Sequence, residues 1–215
     1  MKKMNMDKLK GLLVLFAVLL STAVFSQTKM SAAEASSFKA NVDKQAQKIT
    51  SITADFEASK YVSVIKNPSK NSGIFKLKGK KLLWKYNAPQ QNAMLFDQDK
   101  LYMRDDKGKK STIDLNKNRR FRQLQHLMTE TNTGNVLDEK NFSIAYLKHT
   151  NGKSAVLTPK NKDMARFIKE VVLTFPNNEY TVSEIKIVEK SNDYTVFKLK
   201  NKKFNTSISD SEFKL

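Results

Sequence analysis

The strongest constraint on the fold is an alternation of apolar and polar residues that recurs in short segments along most of the chain. Between residues 52 and 58, an apolar side chain occupies every second position, as on one face of a β-strand. Clusters of turn-forming residues, such as NPSKNSG, DDKGK and SND, separate such segments. The other predicted strands are residues 73–78, 81–86, 93–97, 100–104, 111–115, 142–147, 154–158, 167–175, 183–188, 194–200 and 205–209. Short strands with hairpin-sized connections predict an antiparallel meander that curls into a sandwich or a barrel.

Two segments have a helical period instead. The first predicts an amphipathic helix of about four turns, because apolar residues recur at helical spacing at Ala33, Phe38, Val42, Ala46 and Ile49. The second lies within FRQLQHLMTE, where the apolar positions are Phe121, Leu124, Leu127 and Met128. The predicted architecture is mainly β: a curled sheet of roughly eleven strands, with two helices that can pack against its concave face.

The first 26 residues have the three parts of an export signal. Four lysines precede the apolar run LLVLFAVLL, and the modest side chains of Val24 and Ser26 fit the positions that signal peptidase reads. A helix that crosses a bilayer needs about 20 apolar residues, so a retained membrane anchor fits this shorter run less well than a cleaved leader. We expect cleavage after Ser26 and export, which leaves residues 27–215 as a single domain.

The net charge and the expected export together limit the classes of partner that the protein can have. The sequence contains 39 basic and 21 acidic residues, a net charge of +18, and loss of the leader lowers that net charge to +15. A basic protein in the cytoplasm is a candidate for nucleic-acid binding, but export removes this one from nucleic acid. Lipid head groups, acidic envelope proteins and simple solvation of lysine-rich strand faces remain as reasons for the charge.

Residues that would carry catalysis or bind a metal do not form a recognisable motif. The chain has no cysteine, which excludes disulfides, thiolate metal sites and thiol nucleophiles. The nucleophile-elbow, zinc-protease, phosphate-loop and dinucleotide motifs are absent from the sequence. His126 and His149 have no partner at a metal-ligand spacing, and Asp105 and Asp106 occur in a turn. We therefore expect a protein that is not an enzyme and that uses no metal or cofactor.

The alternation divides two neighbouring strands into an aromatic-rich face and a lysine-rich face. Phe75 and Leu77 share one face of residues 73–78, and the next strand adds Leu82, Trp84 and Tyr86 to that face. Lysines alternate with them on the opposite face. The apolar face is either the filled core of a sandwich or the lining of a cavity for an apolar ligand such as an acyl chain. The two alternatives have the same composition and differ only in whether space is left.

Four segments, taken in order, resemble the outer-membrane lipoprotein carrier (LolA) family. GIFKLKGKKLLWKYNAP, residues 73–89, has a strand that starts at glycine, then a turn, then a W-x-Y-type strand closed by proline. LFDQDKLYMRDDKGKK follows at the family's distance and is similar to its D-G-K-x-L-W-x-Y hairpin. AVLTPK resembles the family's L-x-P strand end, and FKLKNKKFNTSISDSEFKL resembles its final hairpin. The likeness covers essentially all of the chain that follows the leader.

The resemblance implies an incomplete, half-open antiparallel barrel closed by helices, whose hydrophobic cavity shields lipoprotein acyl chains. Such a carrier is a periplasmic chaperone that receives acylated lipoproteins from an inner-membrane release complex and delivers them to an outer-membrane acceptor. It implies a monomer that needs no cofactor and no nucleic acid. The implied lipid-binding cavity residues are Phe56, Phe75, Leu77, Leu82, Trp84 and Tyr86, and the implied lid residues are Phe38, Val42, Leu124, Leu127 and Met128.

The chain departs from the family pattern at several positions. Lys78 and Gly79 stand where the family typically has Arg-Pro, so the resemblance implies that Lys78 is the cation that contacts the lid. A lysine keeps the charge but lacks the forked guanidinium that can bind several carbonyl groups at once. Ala58 stands where a Gln often follows the ADF-type strand, and Gln98-Asp99 replaces the usual Asp-Gly.

Two other functions fit the same pattern. An envelope sensor or regulatory module could bind lipoproteins or other acyl ligands in the same cavity, and would be expected to report through a second domain or an anchor. A purely structural sheet protein would have a filled core in place of the cavity. A filled core predicts no binding of a fluorescent fatty-acid probe, which separates it from both of the others.

Overall fold

The computed structural model of the protein describes residues 27–118, 121–122, 125 and 137–215. In this part of the chain, twelve strands form one antiparallel sheet. The strands are β1 (Thr28–Lys29), β2 (Ser51–Tyr61), β3 (Ser69–Lys78), β4 (Lys81–Ala88), β5 (Ala93–Asp97), β6 (Lys100–Arg104), β7 (Lys110–Asp114), β8 (Phe142–His149), β9 (Gly152–Pro159), β10 (Ile168–Pro176), β11 (Glu184–Glu189) and β12 (Tyr194–Phe204). The helices with both ends described are α1 (Ala32–Ala46), α2 (Lys162–Ala165) and a 3-10 helix (Asp210–Glu212).

The sheet consists of two meanders that meet at its centre. β2 to β7 pair in chain order on one side, and β8 to β12 pair in chain order on the other, with β1 added beside β8. The join is the pairing of β12 with β2, from Tyr194 opposite Tyr61 to Phe204 opposite Ile52. β1 and β7 form the two edges and do not pair with each other, so the sheet does not close. The predicted fold class, a half-open antiparallel barrel with an N-terminal helix, is confirmed.

Helix α1 begins at a capping box. The hydroxyl of Ser31 accepts a hydrogen bond from the Glu34 N–H, and the Glu34 carboxylate accepts one from the Ser31 N–H at 2.8 Å. Lys148, on β8, donates to the same carboxylate at 2.6 Å. This lysine, together with the cap, lowers the pKa of Glu34 to about 2. The helix start is therefore fixed to β8, next to the β1 edge of the sheet, in line with the predicted amphipathic helix.

The concave face of the sheet carries two apolar clusters, one on each meander. In the first, α1 buries Phe38, Val42 and Ala46 against β8, β9 and β10, with the ring of Phe38 in edge contact with that of Phe175 at 5.1 Å. The second cluster lies on β2 to β6 and just after β7, and its buried members are Ala54, Phe56, Ala58, Phe75, Leu77, Leu82, Trp84, Phe96, Leu101 and Leu115. The central strands β11 and β12 lie between the clusters and are mostly half-buried.

The last eleven residues cover part of the outer face. A strand was expected at 205–209, but β12 ends at Phe204 because Asn205 adopts a positive φ of 58° and turns the chain. The amide of Asn205 then bonds the α1–β2 connection, accepting from the Thr50 N–H at 2.8 Å. Beyond it, Ile208 and Phe213 are buried against Leu83 and Leu95, which point away from the concave face. A third, small core thus forms on the lysine-rich side.

Other boundaries also differ from the sequence-based expectation. β3 begins at Ser69, four residues before the predicted start, because polar residues on a solvated hairpin carry no apolar alternation to read. Helix α2 was not predicted: it is a single turn, capped by the Asn161 side chain, and too short to show a period. The helix predicted around Leu124, Leu127 and Met128 falls on positions outside the described residues.

Gly73 allows the sheet and the aromatic cluster to pack together. A Cβ at this position would meet the Lys85 carbonyl oxygen at 2.1 Å and the ring of Phe56 at 2.4 Å. We predict that Gly73→Ala lowers the free energy of unfolding by about 3 kcal/mol, since backbone and a buried ring must both move. Urea unfolding followed by circular dichroism measures the change.

The control is Gly79→Ala in the β3–β4 turn, where φ is +55° and an added Cβ would have no atom within 4 Å. That substitution bears only the strain of the left-handed conformation, about 1 kcal/mol. Equal losses for the two variants would contradict the packing role of Gly73.

Candidate functional site

An apolar cavity of about 220 Å³ lies on the concave face, between the two clusters and beside the end of α1. Both meanders, the α1–β2 connection and the β10–β11 loop contribute to its wall. The lining residues are Ala46, Ile49, Ile52, Phe75, Trp84, Tyr86, Met94, Val171, Leu173, Phe175, Tyr180, Thr181, Val182, Ile185, Ile187, Phe197, Leu199, Lys202 and Phe204. Among them, only Thr181, Lys202, the Trp84 indole and the hydroxyls of the two tyrosines bring polar side-chain atoms to this wall.

The central strands form the floor of the cavity. On β11, Ile185 and Ile187 point into it, and on β12 Phe197 and Leu199 do the same, whereas Lys198 between them points outward. These four apolar side chains are only half-buried, although Ile185 and Ile187 pack against the first cluster and Phe197 and Leu199 against the second. The cavity is therefore the space between the two clusters, where the floor is not completely covered.

Aromatic side chains from β3 and β4 form one wall. The ring of Phe75 meets that of Trp84 edge-on at 5.4 Å, and Trp84 meets Phe197 of the floor edge-on at 5.0 Å. Burial raises the pKa of Tyr86, which keeps its hydroxyl protonated, and the nearby Trp84 indole offsets part of this rise. Trp84 is 4% exposed, and its indole N–H has no hydrogen-bond acceptor in bonding geometry among the described residues. The wall thus holds one buried donor that a ligand oxygen could accept from.

The six residues expected in the cavity wall divide into two groups. Phe75, Trp84 and Tyr86 line the cavity. Phe56 lies directly behind them, with its ring 4.7 Å from that of Trp84, and Leu77 and Leu82 are fully buried in the same cluster. These three side chains support the wall and do not face the space.

The residues expected in the lid are placed only in part. Phe38 and Val42 lie on α1, buried over the first cluster, while Ala46 at the end of that helix reaches the cavity. Leu124, Leu127 and Met128 lie outside the described residues, so their lid role stays a prediction. The same holds for their contact with Lys78.

The contacts that Lys78 does make are on the outer face. Its ammonium group donates to the carbonyl of Ile208 at 2.8 Å and to the carboxylate of Asp210 at 3.1 Å. Its neighbour Leu77 points to the concave side, so the pleat directs Lys78 away from the cavity. Lys78 therefore fastens the C-terminal segment to the sheet.

A different lysine lines the cavity. The ammonium group of Lys202 donates to the Thr181 hydroxyl at 3.0 Å, to the Val182 carbonyl at 3.3 Å and to the Glu179 carboxylate at 3.2 Å. These partners all belong to the β10–β11 loop, which itself forms part of the cavity wall. Lys202 thus holds this loop against the end of β12.

The alternation in the sequence does not reveal Lys202, because the strand changes register before it. Between Lys200 and Lys203 the pairing of β12 with β2 shifts, and Asn201 has a positive φ of 51°. Such a bulge reverses which face the following residues occupy. The floor residues of β11 and β12 do follow the alternation. Their apolar face can be predicted from the sequence in the same way as the aromatic-rich face of β3 and β4.

Two further properties concern the described residues as a whole. No three His, Cys, Asp or Glu side chains among them lie close enough to hold a metal ion. None of the helices in that part of the structure has the length and apolar character required to cross a membrane. The cavity wall itself offers apolar surface and a few hydrogen-bonding groups.

Comparison with known families identifies the class. The model of the family described as "Outer membrane lipoprotein carrier protein LolA" matches residues 47–215, which include β2 to β12 and almost the whole cavity wall. The chain belongs to this family. A search of curated protein sequences returns no match.

Several solved structures are similar in fold. A DUF1329 family protein from Desulfovibrio piger has a TM-score of 0.49 at 10% identity, covering 86% of this chain and 98% of its own. A LolA superfamily protein from Nitrosomonas europaea has a TM-score of 0.43 at 10% identity, covering 81% and 96%. The lipoprotein LppX from Mycobacterium tuberculosis has a TM-score of 0.42 at 10% identity, covering 80% and 95%. Since these scores are below 0.5, the family assignment rests on the sequence match.

Adjacent positions of β12 allow a matched test of the cavity. Leu199 lines the floor, whereas Lys198 faces the outside one residue earlier. We predict that Leu199→Gln weakens binding of a fluorescent fatty acid about tenfold, because an amide without partners is introduced beside the ligand. Lys198→Gln is the control and is expected to leave the dissociation constant unchanged. Equal affinities for the two variants would mean that the probe binds elsewhere.

Proposed function

We propose that this protein is a carrier that shields the acyl chains of lipoproteins in the cavity on its concave face. The observation that carries the proposal is the apolar space over β11 and β12, lined from both meanders. The family match supports it, because that family is described by lipoprotein transport to the outer membrane. Residues 1–26 then act as the cleaved export signal, and the carrier works in the periplasm as residues 27–215.

The cavity volume limits how much of a lipoprotein the cavity can hold. A dry cavity of about 150 Å³ suffices for benzene, and ligand pockets usually enclose about 300 to 1,000 Å³. The space of about 220 Å³ accommodates part of one acyl chain. A lipoprotein with two or three chains therefore requires the wall to open, and the parts able to move are those that are not strands of the sheet.

Helix α1 covers the apolar surface beside the cavity, so an acyl chain that extends beyond the cavity competes with the helix for that surface. It buries three side chains, Phe38, Val42 and Ala46. Burial of a side chain as large as Phe or Val stabilises the packed helix by about 1.5–3 kcal/mol. An acyl chain contributes about 0.8 kcal/mol for each methylene that leaves water. A long chain can thus displace the helix, and return of the helix assists release.

The Trp84 indole gives the cavity one point of polar recognition. The N–H is buried and has no acceptor in bonding geometry among the described residues, which is unfavourable in an apolar wall. The ester or amide carbonyl at the head of a lipoprotein acyl chain is an acceptor of the right kind. A bond to it would orient the chain with its head near Trp84 and Tyr86.

A cavity-filling substitution distinguishes a carrier from a protein with a filled core. Ile187→Trp places an indole inside the cavity, and Lys186→Trp places the same ring on the outer face of the same strand. We expect Ile187→Trp to weaken binding of a fluorescent fatty acid at least about tenfold by occupying the space, with the melting temperature preserved. Binding by neither the wild-type chain nor the control would refute the proposal.

The same preparation separates a carrier from a sensor. A carrier loaded with a fluorescent triacylated lipopeptide is expected to transfer it to acceptor vesicles, measured by size-exclusion separation of protein and vesicles. A sensor would retain its ligand. Retention of the lipopeptide in the presence of excess vesicles and of an outer-membrane acceptor fraction would therefore favour the sensor.

Lys202 is predicted to control access through the β10–β11 loop. Lys202→Met removes the hydrogen bonds to Thr181 and Val182 and the ion pair with Glu179, while keeping an unbranched side chain of similar length. We expect fatty-acid uptake and release both to become about tenfold faster in stopped-flow fluorescence, as for loss of a charged hydrogen bond. Lys203→Met, at an exposed neighbouring position, is the control. Rates equal to those of the control would exclude a gating role.

A further inference from the structure

The β2–β3 loop, residues 62–68, exposes apolar side chains at its tip. Val64 is 89% exposed and Ile65 is 59% exposed, although both are branched apolar residues. They are neighbours in the chain and belong to the few large apolar side chains that the described residues leave exposed. This loop lies outside the cavity wall, so the proposed function does not account for it.

The tip is held in a defined conformation. The Ile65 N–H donates to the Val62 carbonyl at 2.9 Å, which closes a turn. The Ser63 N–H donates to the Asp193 carboxylate at 2.9 Å and ties the loop to the β11–β12 turn. This bond lowers the pKa of Asp193 and keeps its carboxylate ionised at neutral pH. The exposure of Val64 and Ile65 is thus built into the hairpin.

Aromatic rings lie at the base of the loop. Tyr61, at the end of β2, stacks on Tyr194 of β12 with ring centroids 4.5 Å apart. The ammonium group of Lys186 lies over the Tyr194 ring at 4.3 Å. Tyrosines with an apolar body and a polar tip prefer the boundary between lipid and water. An apolar tip therefore continues into a layer of rings with a cation beside them.

The loop itself carries charge of one sign. Residues 60–70, KYVSVIKNPSK, contain three lysines and no acid. Two acids lie close to it: Glu189 pairs with Lys60 at 3.4 Å and offsets the charge of that lysine, and Asp193 accepts from the Ser63 N–H and stays ionised. Lys66, beside the apolar tip, makes no ion pair with any described residue. Lysines near an anionic lipid surface are attracted to it, and each adds to the binding.

We propose that the β2–β3 loop inserts Val64 and Ile65 into the head-group region of an anionic bilayer, with Tyr61, Tyr194 and the lysines at the boundary with water. A protein partner fits less well, because a stable protein interface buries about 800 Å² on each side around a packed centre. Two branched side chains on a hairpin offer no such surface, but they are sufficient to insert into the deformable head-group region of a bilayer. The inference goes beyond the proposed function and does not depend on it.

Vesicle flotation of residues 27–215 tests the proposal. The vesicles contain phosphatidylcholine with or without phosphatidylglycerol. The loop variant is Val64→Asp with Ile65→Asp, which lowers the net charge by two. The matched control is Lys107→Ala with Lys109→Ala, which lowers the net charge equally at the exposed β6–β7 turn near the sheet edge. Both variants change exposed positions, and circular dichroism checks their fold.

The wild-type chain and the control are expected to float with the phosphatidylglycerol vesicles, and the loop variant to bind them at least about tenfold more weakly. Equal loss in the two variants would mean diffuse charge attraction and would overturn the proposal. So would an unchanged loop variant or a wild-type chain that binds no vesicles. Fatty-acid uptake in vesicle-free solution is expected to be normal in the loop variant, so failure of the carrier function would be seen separately.

A positive measurement of insertion uses Val64→Trp. In vesicles with brominated acyl chains, the added indole is expected to be quenched, beyond the background of Trp84 measured with the wild-type chain. Fluorescence that brominated lipid leaves unquenched, in a variant that floats normally, would place the tip outside the bilayer and overturn the insertion.

Discussion

A wide sheet whose concave face helix α1 covers only in part is the constraint on which the described structure depends. Twelve strands at about 4.8 Å spacing extend over roughly 55 Å before curling, and the 15 residues of α1 form a helix only about 22 Å long. Curling brings the two meanders toward each other and buries the flanks. The middle, over β11 and β12, is apolar and only half-buried, since its side chains pack against the margins of the two clusters. Among the described residues, the cavity lies where α1 ends and the two clusters meet.

The residues that stabilise the curled sheet are different from those that face the cavity. Phe56, Leu77 and Leu82 are buried behind the wall, where their packing maintains the curled sheet whether or not a ligand is present. The half-buried floor residues gain most from contact with a ligand, because much of their surface is still exposed to water. Under the proposed function, such incompletely covered surface binds apolar chains without needing a motif, and the covering elements compete with the ligand for it.

Several lysines of the outer face form specific ion pairs, which the net charge of the chain does not reveal. Lys78 and Lys81 both lie against the Asp210 carboxylate, and Lys76 pairs with Glu212. Hydrogen bonds from Lys78 and Lys76 lower the pKa values of Asp210 and Glu212, respectively. Part of the lysine-rich surface is thus neutralised by the chain's own C-terminal segment over a small apolar core. The interpretation of the lysines as a merely solvated surface fails at these positions.

The sequence by itself determined the local structure: strand after strand from the period of two, α1 from its helical spacing, and the inward direction of Phe75, Trp84 and Tyr86. Period and turn chemistry are local, so one chain segment suffices to read them. Tertiary structure decided which apolar residues face space and which face other residues, because Leu82 and Ile187 have the same pattern but different neighbours across the sheet. It also decided that Lys202, after a bulge at Asn201, points into the cavity while Lys78 points away. Such choices depend on register and coverage between distant segments, which no local pattern contains.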